Sequence, residues 1–387
     1  MRRFQLTGIT WNHSRAFPPL VATAQRFEEL NPDIQIYWEK RSLHDFGHAG
    51  LSSLAQSYDL LVIDHPMMGA VANKESLLNL SALLTSEEWR DIAEDSAGLS
   101  AESYLYEGKL YALPIDAAAP AASMRTDLLA AAGYSEPTDW SDVLTLARDG
   151  VVRMPGFPAD LFLNFMGICI SHGSSVVAGN DVLFERSIAL QALEELRELA
   201  RLMPAEIYEW NPITLYQRMT STDEFAYCPF AYTYSNYSRA GFSPKPICFA
   251  DPVLLPGGVP MRTVLGGTGL GISKSCATTE IALRYSLYLS GRTCQSTLYG
   301  VCGGQPARRS ARMSEELNRL TDGFFYRTLS SVERAYVRPR YAGYVQLQEA
   351  AGMPMATYLK EGGNAGSVLD QIDAIYRASI QTGIRHG

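Results

Sequence analysis

Two short stretches carry side chains that could do chemistry together. Trp11, Asn12 and His13 follow one another directly after an alternating apolar and polar segment, and Asp64 and His65 close the apolar run Tyr58–Asp64. An aromatic face beside amide, imidazole and carboxylate groups can stack on the flat face of a ring and hydrogen-bond its edges, the mixture usual in small-molecule sites. Asp64 could also tune His65 as a general base, or simply cap the helix that follows. Further along, Trp210 precedes Asn211 and Pro212, and Tyr232 and Tyr234 flank Thr233. GGTGLG at 266–271 puts Gly267 and Thr268 where a backbone can approach a ligand or bend. YVRPRYAGY at 336–344 would bring Arg338 or Arg340 to such a site. Arg340 is taken as the candidate for two-pronged recognition of an acidic solute, though the segment equally suits a surface loop.

Other chemistries lack their spacings. GGTGLG has neither the GK[ST] of a phosphate loop nor the strand-helix-strand setting of a dinucleotide fingerprint, and neither HExxH nor GxSxG occurs. The cysteines at 169, 228, 248, 276, 294 and 302 form no CxxC pair and read as reduced structural thiols. No metal and no organic cofactor is expected. Cys228, His13, His65 and Asp116 still supply nucleophile and base types, so an enzyme is the alternative to a binding protein. Cys228 in YCPF reads more simply as a small buried hydrophobe.

These residues need a scaffold. At 387 residues the chain exceeds one ordinary core, and 47% hydrophobic with 19% charged residues excludes a disordered chain. No apolar run approaches the ~20 residues of a membrane-spanning helix. The net charge of −8 with scattered basic residues excludes a nucleic-acid binder. Phe4–Trp11 and Ile34–Trp38 alternate as strands around a helical repeat, Leu20, Ala24 and Phe27, which Asn31 and Pro32 stop. Parallel pairing of the two strands needs such a crossover helix, so an α/β lobe opens the chain and Tyr58–Asp64 adds a buried parallel strand. Ligands of open α/β sheets collect beyond the carboxyl ends of the strands, where Trp11, Asn12, His13, Asp64 and His65 fall. Tyr106–Pro114 reads as a Glu-Gly turn between short strands, and helices are expected over 141–148, 188–202, 280–290 and 293–299.

In this order, YEGKLYALP at 106–114, GYSEPTDWSDVLTLA from Gly133, GGTGLGISK at 266–274 and GRTCQSTLYGVCGGQPARRSA at 291–311 resemble the family 1 extracellular solute-binding proteins. These are the capture subunits of ABC importers for sugars and similar solutes. The resemblance implies an α/β, two-lobed, periplasmic-binding-protein-like type II fold whose cleft closes by hinge motion on a carbohydrate, polyol or sugar acid. By analogy, lobe 1 is 1–112 with 263–306 and lobe 2 is 113–262 with 307–387, and 110–116 and 251–266 run between them. The implied partners are a small-molecule ligand and importer permease subunits, for a monomer that binds no nucleic acid. The family implies a periplasmic location. Met1, Arg2 and Arg3 resemble the start of an export signal, but 4–10 lacks its apolar stretch, and a native Met1 would instead mean the cytoplasm and a cytoplasmic enzyme or sensor. Where relatives carry hydrophobic and amide residues after the YALP-like segment, this chain has Asp116 and then Ala117–Ala119, an acidic group expected in the cleft as a partner for hydroxyls or a cation.

Overall fold

The computed structural model describes residues 4–42, 50–177, 179 and 181–385. The export-signal reading of Met1, Arg2 and Arg3 lies outside the described residues. The strands that position the site are β1 (Phe4–Trp11), β2 (Ile34–Arg41), β3 (Leu60–Ile63), β4 (Leu113–Ala118), β5 (Pro120–Met124), β6 (Tyr227–Tyr232), β7 (Cys248–Ala250) and β8 (Gly266–Ile272). Five of them form one sheet in the order β2-β1-β3-β8-β4. β1 pairs in parallel with β2 and β3, as the crossover argument requires, whereas β8 runs antiparallel to β3 and β4. β5, β6 and β7 form a second, antiparallel sheet with β5 in the middle.

The local chemistry accounts for these elements. Helix α1 (Phe17–Leu30) starts with prolines in its first turn, where a missing N–H costs nothing, and buries Leu20, Ala24 and Phe27 before Asn31 ends it. All four residues of β3 are buried, as in a strand covered on both faces. Glu107 and Gly108 both take positive φ, 49° and 75°, and connect the short strands 105–106 and 109–110 as a two-residue hairpin turn.

The second sheet is covered by helices the sequence shows less clearly. Helix α2 (Pro158–Ser171) is buried continuously from Leu161 to Ile170. It packs on α3 (Arg186–Ala200) and α4 (Tyr344–Glu361), which in turn meet α5 (Ala365–Arg385). Gly352 of α4 lies so close to the Pro158 carbonyl that a Cβ there would overlap it. The helix Phe324–Glu333 covers β5 and β7. All six cysteines are free thiols, and all but Cys302 are buried.

The passage between the sheets is short. β4 ends at Ala118 and β5 begins at Pro120, so the chain crosses at Ala119. Leu113–Ala118, most of which falls in the stretch 110–116 expected as a connector, pairs inside the first sheet. The return runs through 261–265, and Ala335–Arg338 lies beside it through the bridge Val264–Tyr336. Thr263 Oγ1 donates to the Pro120 carbonyl at 3.0 Å, the Leu265 N–H to the Tyr336 carbonyl at 2.8 Å, and the Tyr336 N–H to the Thr263 carbonyl at 2.9 Å.

Candidate functional site

A cavity of about 510 Å³ opens between the two sheets beside these crossing segments. That volume suits a small ligand. From the first sheet come Trp11 at the end of β1, Arg15 in the following loop, Asp64 after β3, and Gly266, Gly267 and Thr268 of β8. From the second side come Phe157, Pro158, Ala159, Asp160 and Leu163 at the start of α2, Asn211 and Pro212, and Tyr232 and Tyr234 at the end of β6. Arg338 and, on α4, Gln348, Glu349 and Met353 complete the wall. The placement beyond the strand ends of an α/β sheet follows the general rule for such folds.

Of the residues expected from sequence, Trp11, Asp64, Tyr232, Tyr234, Gly267 and Thr268 line this cavity, and the other six do not. Asn12 points outward, with its N–H on the Arg41 carbonyl. His13 lies one layer behind: its ring stacks on Trp11 at 5.2 Å and meets the Tyr234 ring edge-on at 4.8 Å. Burial and the neighbouring Arg15 push its pKa down to about 4, so it is neutral.

Asp116, expected in the cleft, is not among the cavity's lining residues: its buried carboxylate accepts from Arg15 through Nε at 3.0 Å and through Nη2, and from the Gln305 N–H at 3.2 Å. Arg15 also donates Nη1 to the Thr233 carbonyl at 3.0 Å, tying the first loop to the second sheet. Trp210 faces the core, under the Arg218 guanidinium at 4.7 Å, and its neighbour Asn211 is the lining residue. Arg340 donates to the carbonyls of Glu102 and Ser103 at 3.0 and 3.1 Å, away from the cavity. Its near neighbour Arg338, the other arginine of the same segment, is the one that reaches it.

Arg338 is buried, and every nitrogen of its guanidinium is engaged: Nε on the Leu265 carbonyl, Nη1 on Gln348 Oε1, and Nη2 on both oxygens of Asp64. Burial opposes ionisation of Asp64, but Arg338 and His65 outweigh it and hold the carboxyl at about 2. His65 sits behind Asp64, its Nδ1 3.2 Å from the carboxylate. Burial and then Arg338 lower it to about 4, and its Nε2 has no partner among the described residues. The imidazole is therefore a neutral support for Asp64 and is set back from the cavity, where a general base could not reach a ligand.

Asp160 was not foreseen. It lies in the first turn of α2, half-buried, and burial alone raises its carboxyl to about 7. No hydrogen bond or ion pair to it occurs among the described residues. The remaining surface is largely apolar, and Phe157 and Met353 at the rim are 46% and 60% exposed. Among the described residues no group of three or more His, Cys, Asp and Glu is arranged to hold a metal ion.

The comparisons agree with this geometry. The chain superposes on T. maritima MalE3 with maltose bound with a TM-score of 0.82 at 18% identity, covering 96% of this chain and 98% of that one. An ABC transporter solute-binding protein from Agrobacterium radiobacter in complex with ribitol gives 0.82 at 18%, covering 97% and 98%. One from Thermotoga lettingae bound with alpha-D-tagatose gives 0.79 at 17%, covering 97% and 100%. At these identities the likeness shows the two-lobed fold. No curated protein matches the sequence. The family model for the bacterial extracellular solute-binding proteins matches residues 22–322, most of the chain, and the protein belongs to that family.

Proposed function

We propose that this protein captures a carbohydrate or polyol in the cleft between its lobes and presents it to the permease subunits of an ABC importer outside the cell membrane. The observation that carries the reading is the cavity itself, in which Tyr232 offers a ring face, Trp11 and Tyr234 add aromatic wall, and Asp64, Asp160, Thr268 and Asn211 offer polar atoms. Aromatic faces for the C–H side of a sugar and fixed polar groups for its hydroxyls match what this ligand class requires. One lobe would hold β1–β4 and β8, the other β5–β7 with α2–α5, rotating about the crossing segments to close on ligand.

The solved relatives named with maltose, ribitol and tagatose support the ligand class. An enzymatic reading finds no comparable support: Cys228 is buried with its thiol pushed up to about 12, and His65 is neutral and set back from the cavity. The test is a thermal-shift and calorimetric screen of neutral and amino mono- and disaccharides and polyols, with solution scattering on any hit. Saturable binding with a smaller radius of gyration is expected; no binding by any of them, or binding with an unchanged profile, overturns it.

A further inference from the structure

We infer that the cleft selects a carbohydrate carrying a basic amine over its acidic counterpart, with Asp160 as the residue that reads the charge. This rests on the carbohydrate reading above. It follows from which charges on the cavity wall are already matched. Arg15 is bound through all its guanidinium nitrogens to Asp116 and the Thr233 carbonyl. Arg338 is bound likewise to Asp64, Gln348 and the Leu265 carbonyl. Neither arginine presents an unused nitrogen to a ligand carboxylate. Asp160, in contrast, lines the same wall and accepts nothing among the described residues.

A ligand carboxylate would therefore enter beside Asp160 with no free cation among the described lining residues to meet it, whereas an ammonium would find Asp160. The rings strengthen the preference, since their faces attract cations. Arg15 already occupies those of Trp11 and Tyr234, at 5.9 and 5.1 Å, which leaves Tyr232 for a ligand. The groups that face Asp160 across the cavity are Tyr232, Tyr234, Glu349 and the pairs Asp64–Arg338 and Arg15–Asp116. With its carboxyl raised to about 7, Asp160 is half-protonated near neutrality in the empty cleft. A bound ammonium would draw out that proton.

The experiment is calorimetry at pH 7 with matched probes in the gluco, galacto and manno series: the neutral hexose, the 2-amino-2-deoxyhexose, its N-acetyl derivative and the uronate. The amino sugar is expected to bind at least about tenfold tighter than its N-acetyl form, with the uronate weakest. Asp160→Asn should erase the difference between amino and N-acetyl forms while melting no lower than wild type, and Asp160→Glu should restore it. A uronate that binds as well as the neutral hexose, or an amine preference that survives Asp160→Asn, overturns the inference and leaves the carbohydrate reading intact. Failure of every neutral and amino sugar to bind overturns both.

Discussion

Asp64 and Arg338, 274 residues apart in sequence, are joined by a two-pronged ion pair with oxygen distances of 2.8 and 2.7 Å. It fastens the end of β3 to the segment that runs beside the crossing, and through Gln348 to α4. The buried partner is Arg338, so removing Asp64 strands a cation in the interior.

Asp64→Asn is accordingly expected to cost roughly 3 kcal/mol at neutral pH. The folded pKa of about 2 lies below the ordinary 3.8, so the stability this carboxylate contributes is complete above pH ~4 and is lost as pH falls through about 2. Denaturant melts of wild type and variant from pH 7 down to 2 should converge at the acid end. A constant gap across that range would refute the pairing as its source.

Asp160 has the opposite sign. Its folded value of about 7 lies above 3.8, so its contribution is present below pH ~4 and fades as pH rises through 7. Because the side chain still meets water, the effect is modest, ~1 kcal/mol or less. Asp160→Asn should match wild type at pH 4 and melt about 2 °C higher at pH 8 in the absence of ligand. Equal melting at both pH values would count against a raised carboxyl.

Adjacent glycines of β8 separate binding from folding. A Cβ on Gly266 would meet Tyr232 Cε1 at 2.5 Å, a contact the ring can relieve by swinging towards the cavity. Gly267 has φ +115°, and a Cβ there would overlap the Asp116 carbonyl, which cannot move without breaking the pairing of β8 with β4. Gly266→Ala should weaken sugar binding with little loss of stability, and Gly267→Ala should destabilise by about 2 kcal/mol or more. Calorimetry and thermal melts on both variants check this, and reversed outcomes would refute it.

Trp11→Ala should lower both properties. The indole lines the cavity yet is only 5% exposed, stacked on His13 and under the Arg15 guanidinium. A loss of ~3 kcal/mol in stability together with at least tenfold in affinity is expected. Normal affinity in the folded variant would remove Trp11 from the site.

The sequence reading was strongest where pattern and packing coincide. The alternation of β1, the uniform burial of β3 and the Glu107-Gly108 turn are local signals, and Trp11 and Asp64 at the strand ends, which line the cavity, are legible with them. Helix α2 was not, because residues 161–170 are buried all round and show no polar face, and with it went Phe157, Asp160 and Leu163. Asp116 misled for a different reason. A buried carboxylate and a cleft carboxylate look alike in sequence, and only the position of Arg15, 101 residues away, distinguishes them. The choice of Arg340 over Arg338 fails similarly, since two arginines two positions apart in an extended segment point to the same side until the backbone twists.

The hydrogen bonds that lace Pro120, Thr263, Leu265 and Tyr336 together bear on how the protein could adapt. Segments clasped side by side pivot as one axle, so a change in any of them biases the resting balance of open and closed forms by the same route. Apparent affinity then varies with the fraction of empty molecules already closed, independently of any contact with solute. Thirst for a solute and discrimination among solutes could thus be adjusted separately, the first at the axle and the second on the cavity wall.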